Sequence, residues 1–187
     1  MQEVEYRDRL VAHYERVWHE EAVRLGWHKG PAQEISPEFC VLEFRPRTDR
    51  EMWTYATCCM SDPADQQPIE LHLFSPVQSE AHLELLTAIA HYHRTGVKLG
   101  LGHTVNFGRP WLDDSPCEFG LISLPYLDGP ELEWLSLGAN PRARLLWLIP
   151  ITAAEVAFKK AQGVQALEDR LEAASFNYLD PQRRSVA

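Results

Sequence analysis

Four cysteines in 187 residues are too few to brace a disulfide scaffold, and no two of them have the CxxC spacing of zinc or redox chemistry. Cys40, Cys58, Cys59 and Cys117 lie in apolar stretches instead, which reads as buried free thiols. The adjacent Cys58 and Cys59 would point to opposite faces of an extended strand. Basic residues are also in deficit, 18 Lys and Arg against 27 Asp and Glu, for a net charge of −9. That balance argues against nucleic acid as a partner, because phosphate binding needs a clustered basic surface. No apolar run approaches the roughly 20 residues that span a bilayer. The start Met1, Gln2, Glu3, Val4, Glu5 lacks the basic opening and apolar stretch of a signal peptide, so a cytoplasmic protein with no membrane partner is expected. Neither an internal repeat nor a low-complexity tract is found.

What is present suits one folded domain: 45% hydrophobic and 24% charged residues are ordinary globular proportions. Tyr6, Leu10, Tyr14, Val17, Trp18 and Leu25 recur at helical intervals and predict a helix over residues 4–26, ended by Gly26. Residues 29–37, with two prolines and a glycine, read as a loop. Aromatic and β-branched runs predict strands over residues 39–44, 52–60 and 69–74, in an antiparallel meander. The third alternates as a strand does when one face of its sheet is covered. A helix is expected over residues 80–94, with Thr95 and Gly96 as its stop. Strands should follow at residues 119–124, 132–137 and 145–151, the last apolar enough to lie centrally. Thr152 and Glu155 form a capping box opening a helix that Gly163 breaks, with a second helix over residues 164–174 and a polar, extended tail. The expected fold is α+β, one mixed and largely antiparallel sheet with helices packed on it. A helix and linker over residues 1–34 should pack on a domain of residues 35–187.

Gly100, Gly102 and Gly108 within nine residues mark a backbone needing positive φ or close approach. A phosphate loop would follow a strand, open a helix and carry lysine after its glycines. This one follows a helix, and in His103-Thr104 a histidine stands where the lysine of a Lys-Ser/Thr pair would be needed. Hydrogen bonding that ties down a tight loop is the plainer role for His103 and Thr104. His103 could serve as a base with Asp113 or Asp114, but adjacent carboxylates diverge and no GxSxG elbow supplies a nucleophile. His91 and His93 lie two apart on a helix and cannot converge on one ion, so helix-end packing is the role expected of His93 and no metal site is expected. Trp18, Trp53 and Trp147 fit core positions, whereas Trp111 beside a turn and Trp134 in an acidic stretch are candidates for contact with a partner.

Several segments in one order then match a known family. They are Trp53 to Thr57 leading to Met60 and Ser61, Ile69 to Leu71, Glu84 to Leu86 through Tyr92, and Thr95 with Gly96. The glycine loop over residues 99–108, Leu148 to Glu155, Gly163 with Leu167, and Asp180 to Val186 complete the series. From about Ile35 to the end, the chain resembles the Suppressor-of-fused (SUFU) domain, in the short stand-alone form found in bacteria. The resemblance implies a non-enzymatic binding module with no catalytic residues and no cofactor. In the animal protein such a domain is joined to a second one and sequesters zinc-finger transcription factors of the Hedgehog pathway, a partner strand adding between the two domains. This chain ends where the first domain ends, so that clamp is not carried over. Stand-alone members imply an immunity protein that neutralises a toxin of a polymorphic toxin system, and the acidic balance points to a basic toxin domain such as a nuclease. The residues of interest for binding are Gly102, His103, Thr104, Trp111 and Trp134. A small-molecule or peptide-binding regulatory domain built on the glycine loop, and a hydrolase, are the alternatives.

Overall fold

The computed structural model describes residues 1–27, 34–138 and 142–187; most of the loop expected over residues 29–37 lies outside them. Helix α1 (Glu3–Trp18) buries Tyr6, Leu10, Tyr14 and Trp18, one residue in four, along a single stripe. It stops eight residues short of Gly26, because His19 takes the left-handed conformation (φ 52°). The Ala22 amide then donates to the Glu15 carboxylate at 3.0 Å, and the chain reverses into β1 (Val23–Leu25), where Leu25 faces Val41 across an antiparallel pair. Leu25 thus extended the helical periodicity by coincidence.

Strands β2 (Cys40–Phe44), β3 (Trp53–Cys58) and β4 (Ile69–Ser75) form the expected antiparallel meander. The Cys58 and Cys59 thiols do not diverge. Cys59 has φ 65°, and both sulfurs reach the first turns of α1, donating to the Arg7 and Glu3 carbonyls at 3.8 Å. Strand β4 is buried along its whole length rather than on one face. Its odd residues meet α2 (Glu80–Thr95), and its even residues meet the opposite layer.

After α2 come β5 (Thr104–Asn106) and β6 (Phe119–Ser123). The single strand expected at residues 132–137 is instead a helical turn, α3 (Pro130–Glu133), followed by β7 (Trp134–Ser136). Gly129 at φ 71° and Pro130 in the first turn start that helix, a position where proline's missing N–H costs nothing. Strand β8 (Arg142–Ile151) lies centrally as its apolar run predicts, parallel to β4 and antiparallel to β6, with β7 on its first residues. The main order is β1-β2-β3-β4-β8-β6-β5.

Helix α2 and the 99–117 segment cover one face of the sheet. On the other face α1 covers β2 and β3. Helices α4 (Ala153–Gln162) and α5 (Val164–Ala173) cover β6 and the second half of β8. Thr152 and Glu155 make the capping box, and Gly163 (φ 94°) separates the two helices. The tail is not simply polar and extended. Arg183 returns to the core, its side chain 6% exposed, and makes two hydrogen bonds of 2.7 and 2.8 Å to the Glu155 carboxylate and one to the Pro150 carbonyl.

Candidate interaction surface

The glycine loop is the entry to the edge strand β5. Gly102 donates its amide to the Ile122 carbonyl at 2.7 Å, while the Ile122 amide donates to the His103 carbonyl at 2.9 Å. Two residues therefore oppose one, a β-bulge whose first position needs left-handed backbone, and Gly102 supplies φ 78°. His103 ties the loop through its backbone, donating to the Gly100 carbonyl at 3.1 Å, while its side chain is exposed. The Thr104 hydroxyl accepts from the Lys159 ammonium of α4 at 2.8 Å rather than bonding the loop's own backbone. The structure places Gly102, His103 and Thr104 together and Trp111 and Trp134 elsewhere. Trp111 is 3% exposed, stacks on His82 at 5.7 Å and donates its indole N–H to Ser115, so its ring is held inside the core. Trp134 is half-buried on β7 with the Arg144 guanidinium over its ring at 5.0 Å. Asp113 and Asp114 are both exposed.

The histidines are structural in different ways. His93 accepts the Leu99 amide on Nδ1 at 3.0 Å. Ser61 gives its own proton to the Ile69 carbonyl, so Nε2 of His93 donates to the Ser61 hydroxyl at 3.0 Å. His91 pairs with Glu34 at 2.8 Å. His72, fully buried between Trp18 and Phe74, has no hydrogen-bond partner on either nitrogen, and its Nε2 lies 3.9 Å from Asp128. Burial lowers its pKa to about 4, with Asp128 opposing and Arg50 adding to the shift. Among the described residues, no three His, Cys, Asp or Glu side chains meet in a group that could hold a metal. No helix among them is long and apolar enough to cross a membrane.

A concave surface lies on the α4–α5 side of the sheet, where the sequence reading placed nothing. It is a hollow of about 540 Å3 between α5 and the turn that follows β6. Trp147 and Ile149 of β8 form its floor, and Phe176 and Tyr178 close one end. Trp147 stacks on Phe176 at 6.2 Å and meets Tyr178 edge-on at 5.4 Å, while Phe74 supports both Trp147 and Tyr178 from behind. Such offset and edge-on contacts hold aromatic rings rigidly. One wall carries Tyr126 and Leu127, 56% and 48% exposed, on a turn pinned by Asp128. That carboxylate accepts from Arg50 at 2.6 Å and from the Trp18 indole at 3.0 Å. The α5 wall carries Glu168, Asp169 and Glu172, with Ser123 donating to Glu168. Burial, then the neighbouring Glu168 carboxylate, pushes the Tyr126 phenol up.

The sequence held signals for this surface. An aromatic and an aliphatic residue stand together in a turn between Pro125 and Gly129, and Phe176 and Tyr178 are two aromatic residues close together in the tail. Neither has a periodicity, and only the return of the tail onto β8 brings them together.

Comparison with known proteins agrees with this architecture. The profile of Suppressor of fused protein (SUFU) matches residues 36–184, well over half of the chain. The crystal structure of a SUFU homolog from Neisseria gonorrhoeae FA 1090 is 31% identical, covers 98% of both chains and has a TM-score of 0.87. Two more distant structures share the fold. The Sufu-Fu complex matches at TM-score 0.70 and 12% identity over 97% of this chain and 92% of that one. Drosophila Suppressor of Fused matches at 0.64 and 13%, this chain spanning 50% of that one. Among curated proteins none matches. From the profile match and the full-length likeness to the Neisseria structure, the chain belongs to the Suppressor of fused (SUFU) protein family.

Proposed function

We propose that this chain is a non-enzymatic protein-binding domain, and more narrowly an immunity protein that neutralises the basic toxin domain of a polymorphic toxin system. A related fold is known in a complex with a protein, the Sufu-Fu complex, which supports binding as the mode of action. The observation that carries the reading is how the charges are used. Arg50, Arg94, Arg144 and Arg183 have side chains only 6–22% exposed and lie in ion pairs with carboxylates of this same chain. Each of these cations is neutralised by a carboxylate of the same chain, so the pairs cancel and the net charge of −9 is left to the remaining residues. A surface of that sign steers a basic protein into contact and repels an acidic one.

The test is co-expression with toxin domains encoded beside this gene. A stable complex and rescue of growth are expected. Absence of both across all neighbouring toxins removes the immunity reading. A second mode, capture of a peptide by strand addition at β5, is favoured by that strand's terminal place in the sheet order.

A further inference from the structure

We propose that the hollow between α5 and the 125–129 turn is the docking site for a segment of a protein partner in which one bulky apolar side chain stands between lysines or arginines. This rests on the protein-binding reading and names the surface and the chemistry it selects.

The floor is apolar and pre-formed, because Trp147 is locked among Phe74, Phe176 and Tyr178. The volume of about 540 Å3 falls within the range of ligand clefts and accepts a large side chain. Tyr126 and Leu127 leave half their surface uncovered at its edge, where an inserted side chain would bury them. Aromatic and aliphatic groups at such an edge are the kind that dominate contact energy.

The rim sets the sign of the partner. Every charged residue lining the hollow is a carboxylate, Glu168, Asp169 and Glu172. Two arginines lean on the rings from outside, Arg50 over Phe74 and Arg183 over Phe176, and both are matched by Asp128 and Glu155. The rim is also placed against the interest of the helix that carries it. Glu168 and Glu172 are like charges at i and i+4, and Glu172 lies in the last turn of α5, where the helix dipole favours cations. Ser123 donates to Glu168 and Gln165 to Asp169, but neither bond offsets the like-charge and dipole terms at Glu172, which a basic segment would relieve. Ring faces add to the effect, since their quadrupole attracts cations.

The experiment uses the whole chain and three fluorescein-labelled ten-residue peptides: a central leucine flanked by two lysines on each side, the same with glutamates for lysines, and the lysine peptide with a central glycine. Anisotropy gives affinity and amide NMR shifts give the site. Only the lysine–leucine peptide should bind appreciably, with shifts confined to α5, residues 125–129 and residues 176–178. The variant D169K/E172K, altering two exposed side chains, should keep or raise its thermal midpoint, since a lysine at position 172 suits the end of α5, and weaken binding by roughly tenfold or more, and Y126A by roughly fivefold. Equal binding by D169K/E172K, equal binding of the glutamate peptide, failure of the lysine–leucine peptide, or shifts at β5 would each overturn the proposal. Toxin capture by D169K/E172K as tight as by the wild type would remove the groove and leave the protein-binding reading standing. Failure of the wild type itself to capture any toxin would remove the immunity reading, and the peptide result alone would then decide the groove.

Discussion

Glu70 is the least ordinary single residue. Its carboxyl is fully buried on β4, accepting from the Tyr6 hydroxyl at 3.0 Å, the Thr57 hydroxyl at 2.6 Å and the Met60 amide at 3.1 Å. Burial raises its pKa from 4.5 to about 7, with those hydrogen bonds opposing. The folded protein therefore holds this proton more tightly than the unfolded chain. The resulting stabilisation is complete below about pH 4.5 and is lost as pH rises through 7, a loss of roughly 3 kcal/mol. His72, His82 and His93 act in the opposite sense. Burial lowers each from 6.5 to about 4, so their contribution is complete above 6.5 and is lost as pH falls towards 4. Urea midpoints should thus peak between acid and alkaline limits. Below about pH 6.5 the three histidines outweigh the one carboxyl, so a net fall appears only above about 6.5, as pH passes through 7. Glu70→Gln should abolish that fall and steepen the rise on the acid side; an unchanged alkaline slope would show that Glu70 is not its source. The buried Arg183–Glu155 pair makes a second prediction. Arg183→Ala leaves a fully buried carboxylate uncompensated and should cost about 3–5 kcal/mol in urea unfolding, whereas an exposed arginine would cost under about 1.

At the scale of elements, local backbone chemistry decides where helices and strands begin. Gly102 is required by the bulge that starts β5. A Cβ there meets only Val164 at 3.8 Å, an ordinary contact, so the penalty is conformational. Gly102→Ala should lower stability by about 1–2 kcal/mol, read as a fall in thermal midpoint, while Gly100→Ala, with open space around it, should leave the midpoint nearly unchanged. The Thr152 hydroxyl accepts from the Glu155 amide at 3.3 Å, and the Glu155 carboxylate in turn accepts from the Thr152 amide at 2.7 Å. Thr152→Ala should cost about 1 kcal/mol by the same measurement. Glu155 serves twice, as cap for α4 and as counter-ion for Arg183, so the helix start and the C-terminal tail are held by one carboxylate.

For the molecule as a whole, the net charge of −9 sets how a charged partner would arrive. Association with a basic toxin domain should slow by roughly tenfold or more between low salt and 0.5 M salt, with dissociation much less affected. Stopped-flow mixing of the separated proteins measures both rates. Equal slowing of an acidic partner would show that charge sign has no part in recognition.

Regular patterns in the chain carried most of the architecture. The apolar run of β8 implied its central place, the stripe of Tyr6, Leu10 and Tyr14 implied α1, and Thr152 with Glu155 implied the start of α4, because each depends on neighbours within one or two turns. Family membership was legible for the same reason, from ordered local motifs. Tertiary structure alone decided the rest. It ended α1 at His19 and sent Leu25 into a strand, turned both Cys58 and Cys59 towards α1, sealed Trp111 against His82, and folded the tail so that Arg183 reached Glu155. The aromatic hollow belongs with these, since Tyr126, Trp147 and Tyr178 meet only when the last residues return across β8. Local spacing can show that a side chain is apolar, but which surface covers it is settled by the packing of distant segments.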